Sequence, residues 1–142
     1  MAAPELMLHL EDARTVFHPG DRIAGEAHVV NDSEWTATQF VVELRWSTYG
    51  RGDQDTGAGA VQVLAPPGQE VPARSSHRFA LTVPPLPWTY HGRALKIGWC
   101  VRLYAGGRHI TDSETTVDFE LRPRPEPAGV DSMAPPDLPP PE

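Results

Sequence analysis

Apolar and polar residues alternate with a period of two along most of the first 121 residues. This period is typical of β-strands that bury one face and expose the other, whereas helical spacing is hard to find in the chain. The clearest segment is residues 94–105. Its two faces carry Leu95, Ile97, Trp99, Val101 and Leu103 on one side and Lys96, Gly98, Cys100 and Arg102 on the other.

The same alternation predicts further strands. They lie, in chain order, at about residues 6–10, 22–30, 38–47, 61–65, 76–83 and 115–121. A glycine-rich loop is expected at residues 49–59, and Gly106-Gly107 is expected to form a hairpin turn. Seven or eight short strands joined by Gly/Pro turns, without a crossover helix, predict an all-β fold: an antiparallel two-sheet β-sandwich.

The composition changes at residue 123. Residues 123–142 contain eight prolines, and their only large apolar side chains are Val130, Met133 and Leu138. Burying three such side chains gains about 6–9 kcal/mol, while ordering twenty residues costs about 20–40 kcal/mol. We therefore predict a sandwich domain at residues 1–122 and a disordered, acidic, proline-rich tail at residues 123–142. A solubilising role is favoured for the tail over a docking peptide, for which Pro136-x-x-Pro139 is a weak match.

Bulk properties narrow the functional classes. Cys100 is the only cysteine, which excludes an internal disulfide framework and a four-cysteine zinc site. The net charge of −7 includes no basic cluster, so we expect no nucleic-acid partner. No segment reaches the ~20 apolar residues of a membrane helix, and the first residues lack the basic start of a secretory signal, so we expect no membrane insertion and a cytoplasmic location.

Two motifs go beyond a generic sandwich. The first, at residues 16–26, combines a proline-glycine-acidic turn with the start of a strand, and the second, at residues 79–92, is a proline- and aromatic-rich corner before the strand at 95–103. Their order and separation resemble the arrestin-like β-sandwich family, whose architecture is immunoglobulin-like. The motif positions, which we interpret as structural, are Pro19, Gly20, Asp21, Gly25, Pro87, Trp88, Tyr90 and Gly92.

The resemblance covers residues 6–121 and implies an adaptor or scaffold without a catalytic centre. Arrestins contain two sandwiches in tandem, but this chain has room for one, so it is more similar to a bacterial single-sandwich relative of the sporulation-control arrestin-like kind. The phosphate-sensing polar core of the family is not carried over, because the inward positions offer no clear buried Arg/Lys–Asp set. Recruitment of ubiquitin ligases is not carried over either, because the tail has no tyrosine.

No catalytic, metal or cofactor-binding residue is assigned from the sequence. The polar segment from residue 49 to 57 opens like a calcium loop, but Leu64 stands where the bidentate glutamate is needed. The six histidines form no spaced ligand pair and are interpreted as surface residues, and Cys100 is given no role. A plain loop is favoured over a protein-contact loop, whose candidate residues are Tyr49, Arg51, Asp53 and Asp55.

Three functional hypotheses stay open. The leading one is a non-catalytic scaffold or regulatory adaptor that binds another protein, of unknown identity, through sheet edges and loops, with homo-oligomerisation through the same edges as a variant. The second is a carbohydrate- or small-ligand-binding module that uses exposed Trp88 and Tyr90, although these side chains are expected to pin the corner instead. The third is a hydrolase, which lacks a recognisable catalytic constellation.

Overall fold

The computed structural model describes residues 3–50 and 54–124, whose regular structure consists of β-strands without a helix. The strands are β1 (Glu5–Leu10), β2 (Val16–Phe17), β3 (Arg22–Val30), β4 (Trp35–Gly50), β5 (Thr56–Ala65), β6 (Glu70–Val71), β7 (Arg74–Thr82), β8 (Tyr90–His91), β9 (Leu95–Arg108) and β10 (Ser113–Leu121).

Two sheets pack face to face. The smaller has the order β1-β3-β7, and the larger has the order β2-β10-β9-β4-β5, with β6 paired to β4 and β8 paired to β9. All pairs are antiparallel except β2 with β10. The expected antiparallel two-sheet sandwich is therefore confirmed.

The core lies where the alternation places it. Inward positions of β3, β4 and β9 are buried, as predicted from the period of two; they include Ile23, Ala27, Val29, Phe40, Val42, Leu44, Trp99, Val101 and Leu103. The rings of Phe17 and Phe119 meet edge to face, with centroids 5.6 Å apart, an arrangement that aromatic pairs favour. Trp35, to which the sequence pattern assigned no role, is also buried and packs on Phe40.

The predicted Gly106-Gly107 hairpin turn is wrong. Both glycines lie inside β9 and pair with residues near the start of β4. A Cβ atom on Gly107 would stand 2.3 Å from the carbonyl oxygen of Thr36, so glycine permits the close approach of the two backbones. The chain reverses later, between β9 and β10, where His109 has a positive φ of 71°.

The glycine-rich loop predicted at residues 49–59 is also shorter than expected. Strand β4 continues to Gly50 and β5 begins at Thr56. Gly57 lies against the indole of Trp46, whose Nε1 would be 2.6 Å from an added Cβ, and Gly59 lies against Trp99. These glycines are strand residues that make room for large inward side chains.

The tail from residue 125 lies outside the described residues, so the predicted domain boundary at 122/123 stays a prediction. The last strand ends at Leu121, close to that boundary. Three strands of two residues, β2, β6 and β8, had no signal in the sequence, because a period of two cannot be recognised in so short a segment.

Gly25 provides a test of the sheet geometry. A Cβ atom there would stand 2.2 Å from the carbonyl oxygen of His9 on β1. We expect Gly25→Ala to lower the free energy of unfolding by about 1–3 kcal/mol, because β1 must shift away from β3. The matched control is Gly98→Ala, whose Cβ would meet nothing closer than 3.8 Å. Urea unfolding midpoints measure both changes, and equal midpoints for the two variants would contradict the register.

Candidate functional site

The first motif is a turn that fastens the end of β10 to the start of β3. Gly20 has a φ of 83°, which glycine adopts without steric cost. The carboxylate of Asp21 accepts hydrogen bonds from the His18 backbone N–H at 2.9 Å, from Arg124 Nη2 at 2.9 Å and from Arg14 Nη1 at 3.3 Å. The turn therefore joins two distant parts of the chain through one acidic side chain.

These donors favour the ionised form of Asp21. Burial of the carboxyl raises its pKa, but the hydrogen bonds from His18 and Arg124 and the positive charges of Arg14 and Arg124 outweigh burial, so the pKa lies below its usual value of 3.8. The Asp21 carboxylate therefore ties the turn to Arg14 and Arg124.

The second motif closes the other side of the same end of the sandwich. The Leu86–Pro87 peptide bond is cis. The carbonyl of Pro87 accepts a hydrogen bond from the indole Nε1 of Trp99 at 2.7 Å. Thr89 donates its backbone N–H to the carbonyl of Leu121 at 2.9 Å, and its hydroxyl accepts the N–H of Leu121 at 2.8 Å. Pro87 and Thr89 thus hold the corner in place.

Trp88 and Tyr90 flank this anchor and keep much of their surface accessible. Trp88 is 36% exposed, Tyr90 52% and the nearby Leu86 61%. The ring of Tyr90 lies over Gly92, where an added Cβ would stand 2.3 Å from Cε2, so Gly92 is required for that ring position. The polar groups that fasten the corner belong to neighbouring residues, and the aromatic rings are available for contacts.

The candidate protein-contact loop is divided between strand and turn. Tyr49 lies within β4, opposite Lys96, whose Nζ is 5.9 Å from the centre of the Tyr49 ring. Asp55 is exposed just before β5; its carbonyl accepts the N–H and the hydroxyl of Thr48, and its own N–H donates to the Thr48 hydroxyl. Arg51 and Asp53 lie outside the described residues.

A charged network crosses the outer face of the larger sheet. Glu43 Oε2 accepts a hydrogen bond from Arg102 Nη1 at 2.7 Å and another from Arg45 Nη1 at 3.2 Å. Arg102 also binds Glu114 on β10, and Arg45 reaches Thr56 on β5. Glu43 is only 6% exposed although it faces outward, and it is the one buried charged residue of the described part of the chain. The network links four strands and pairs Glu43 with two arginines.

A groove of about 670 Å³ lies beside this network, between β4, β9 and β10. Its walls include Lys96, His91, Asp118 and the thiol of Cys100. Burial and the negative charge of Asp118 raise the pKa of Cys100, so the neutral thiol dominates at pH 7. The groove combines both signs of charge with no evident selectivity for one ligand class.

The sequence analysis interpreted all six histidines as surface residues, but one of them, His77, lies partly in the core. His77 is half-buried on the inward face of β7, where its ring packs edge to face on Phe40 and its Nε2 lies 2.9 Å from Ser75 Oγ. Burial lowers the pKa of His77. In the described ranges no three His, Cys, Asp or Glu side chains are gathered as a metal site. The same residues include no helix with the length and apolarity needed to cross a membrane.

Edge strand β5 combines features that the sequence analysis did not recognise. It pairs with β4 on one side, and no other strand of the described residues pairs with it. None of its ten residues is charged and none is proline. Val61 and Val63 face outward and are 52% and 56% exposed. Natural sheet edges usually carry charges or proline that discourage pairing with another chain, and β5 has neither.

No protein-family model and no curated protein matches the chain. Among solved structures, Spo0M, a sporulation control protein from Bacillus subtilis, has a similar fold, with a TM-score of 0.64 at 13% sequence identity. The alignment covers 87% of this chain and 51% of that one, so this chain spans about half the length of its structural neighbour. The fold is arrestin-like, as the two sequence motifs predicted.

The Asp21 anchor predicts a pH-dependent stability. We expect Asp21→Asn to lower the free energy of unfolding by about 1–3 kcal/mol at pH 7, the range for hydrogen bonds to charged groups. Because the folded pKa lies below the unfolded one, the contribution is complete above pH 3.8 and is lost as the pH falls through the folded pKa. Urea titrations from pH 7 to pH 3 should therefore show the gap between variant and wild type closing.

The control for this titration is Asp12→Asn. The Asp12 side chain is 52% exposed and binds Arg14 at the surface, so its loss should cost under about 1 kcal/mol. A gap for Asp21→Asn that stays constant across the pH range would contradict the anchor.

Proposed function

We propose that the chain is a non-catalytic protein-binding scaffold or regulatory adaptor, and that the free edge of β5 accepts an extended segment of its partner. The observation that carries the proposal is an uncharged, proline-free edge strand of ten residues with two exposed valines. In strand addition, main-chain hydrogen bonds supply affinity and alternate side chains supply selectivity.

The other sheet edges are less suited to pairing. Strand β1 exposes Glu5 and His9 beside Met7, and charges on an edge disfavour an added strand. Strand β7 has part of its backbone occupied, because the Gln62 side chain binds the Arg78 carbonyl at 3.2 Å and the Ala80 N–H at 3.0 Å. Strand β2 has only two residues. These differences favour β5 over the rest of the rim.

The available stretch of β5 is short and well defined. The pairing with β4 skips Gly59 and Leu64, so these residues form bulges, and Ala60–Val63 is the regular segment between them. Val61 and Val63 stand opposite Glu43 and Val41, and an incoming strand would extend this row of side chains. A ladder of four residues supports a reversible interaction, because its contacts must first offset the several kcal/mol that association costs.

The structural neighbour adds a weaker line of support. Spo0M is described as a sporulation control protein, and a control function is compatible with a regulatory adaptor. At 13% identity the likeness concerns the fold, and many functions occur on one fold. The proposal therefore depends on the β5 edge.

A second candidate is a carbohydrate- or small-ligand-binding module. The exposed rings of Trp88 and Tyr90 favour it, because aromatic faces can stack on sugars. We rank ligand binding at this corner below partner binding at β5. The nearest polar groups, Thr89 and the carbonyl of Pro87, already form hydrogen bonds that hold the fold.

The β5 edge can be tested with a photo-crosslinking residue placed at position 63. We expect crosslinks to a specific partner in native lysate, and we expect the exposed charge of Val61→Lys to reduce their yield at least about tenfold. The matched control adds the same charge to the other sheet through Met7→Lys. Light scattering of the purified protein identifies the case in which the partner is a second copy.

Two outcomes would contradict the proposal. One is a crosslink yield at Met7 equal to that at Val63. The other is a yield at Val63 that Val61→Lys leaves unchanged while the variant stays folded by circular dichroism.

A further inference from the structure

The free edge of β5 presents the backbone groups of particular residues. In an antiparallel ladder, successive residues of a strand direct their N–H and C=O groups alternately to the strands on its two sides. Thr48 of β4 donates its N–H to the carbonyl of Asp55, just before β5. The even-numbered residues at this end of β4 therefore direct their backbone groups towards β5.

The same alternation reaches the middle of β5. The register of β4 with β9 is unbroken over residues 39–50, so Val42 also directs its backbone groups towards β5, where it pairs with Gln62. The N–H and C=O of Gln62 are thus used within the sheet. Those of its neighbours Val61 and Val63 point to the free edge, where no strand of the described residues pairs with them.

The sequence around Gln62 has the same pattern in both directions. Val61 and Val63 flank it, and the apolar residues Ala60 and Leu64 follow on either side. None of the ten residues of β5 is charged, although the chain carries 19 acidic and 12 basic residues. Antiparallel pairing about a two-fold axis brings a strand against its own sequence, so an uncharged, symmetric pattern suits a second copy of β5.

We propose that the segment accepted by the β5 edge is β5 of a second copy, paired antiparallel about a two-fold axis at Gln62. The inference rests on the proposed function, because it names the partner that this edge accepts. Val61 of each copy lies opposite Val63 of the other and exchanges backbone hydrogen bonds with it. The two Gln62 residues face each other at the axis.

This register is the one that uses both valines within the regular part of β5. An axis at Val61 would place Val63 opposite the bulge at Gly59, and an axis at Val63 would place Val61 beyond the bulge at Leu64. An axis at Gln62 keeps both pairs between the bulges. It also sets valine against valine on the outer face, and β-branched pairs are favourable cross-strand neighbours.

The polar side chain at the axis already has partners within its own copy. Gln62 faces inwards, where its amide nitrogen donates to the Arg78 carbonyl at 3.2 Å and its amide oxygen accepts the Ala80 N–H at 3.0 Å. Burial of an amide without partners is costly, and pairing of two copies here avoids that cost.

Such an assembly closes at two copies. A two-fold interface uses the same surface on both partners, so pairing consumes the β5 edge of each copy and leaves none for a third. The other edge strands are charged, partly occupied by Gln62, or only two residues long. The product is a dimer in which the two larger sheets are continuous.

Disulfide trapping on the full chain tests the partner and the register together. In a Cys100→Ser background, chains with Val61→Cys are mixed with isotope-labelled chains with Val63→Cys and oxidised mildly. We expect a disulfide between the two kinds of chain, because opposite residues have Cα atoms about 5.5 Å apart, within the reach of a disulfide. Mass spectrometry identifies the mixed dimer by its label.

Each cysteine variant on its own is the matched control. Val61 and Val63 are both more than half exposed, so neither substitution disturbs the core. Two copies of the same position lie diagonally across the axis, with Cα atoms about 7–8 Å apart, which is too far for an unstrained disulfide. We expect each single variant to give at least about fivefold less dimer than the mixture.

Sedimentation equilibrium measures the dimer without a crosslink. We expect a monomer–dimer equilibrium between about 10 μM and about 1 mM, which Val61→Lys or Val63→Glu weakens at least about tenfold. Mixing these two variants should restore it, because opposite charges then stand opposite each other. Met7→Lys, on the other sheet, should leave it unchanged. Added salt should favour the dimer, since each copy carries a net charge of −7.

Four results would overturn the inference. They are disulfide yields equal in the mixture and in the single variants, a wild-type chain that stays monomeric over the whole concentration range, assembly that continues beyond the dimer, and a dimer that salt dissociates. If the chain is monomeric but Val63 crosslinks to another protein in native lysate, the inference fails and the proposed function stands. If Val63 crosslinks to nothing in lysate either, both fail.

Discussion

The pairing of β4 with β9 is the constraint on which the rest of the structure depends. It runs from Thr36–Arg108 to Gly50–Leu95, through the middle of the larger sheet. Every residue of this ladder has a fixed face, because a shift by one position would exchange the buried and exposed sets. The inward set supplies Phe40, Leu44 and Trp99 to the core, and the outward set brings Glu43 beside Arg102.

The remaining elements attach to this ladder, and their positions decide where function can reside. Strand β10 binds one side of β9 and β5 binds the outer side of β4, so β5 is left with a free edge. Strand β8 and the Thr89 anchor occupy the side of β9 beyond the last β10 pair, where Thr89 is bonded to Leu121 at the end of β10. The charged groups at the centre of the larger sheet thus pair with one another, while β5 keeps a free edge at the rim. Rigid frames with recognition at edges and loops are common among sandwiches.

Periodicity alone was enough to predict the two-sheet fold and most of the core, because each inward residue contributes independently to the alternating pattern. It could not predict the roles of Gly59 and Gly107, which depend on a bulky side chain or a backbone from another strand. The burial of Glu43 was missed for the same reason, since it follows from a partner 59 residues away in the chain. The position of β5 at a sheet edge could be known only from the strand order, which the alternation does not contain.

The two motifs that indicated an arrestin-like sandwich were recognisable because each is a short run of neighbouring residues. The side chain of Asp21 accepts the N–H of His18 within a tight turn, and turn chemistry is written in neighbouring residues. The exposure of Trp88 and Tyr90 was not readable in this way, because the bonds that hold the corner use their neighbours' backbone and hydroxyl groups.

Native-state amide hydrogen exchange tests the central ladder most directly. Amides of Val42, Leu44 and Val101 should exchange only through global unfolding, whereas outward-directed amides in Ala60–Val63 of β5 should exchange through local opening, orders of magnitude faster. Equal protection of β5 and the β4–β9 ladder in the monomer, or rapid exchange across the ladder, would contradict a sandwich organised around these two strands with a free edge at β5.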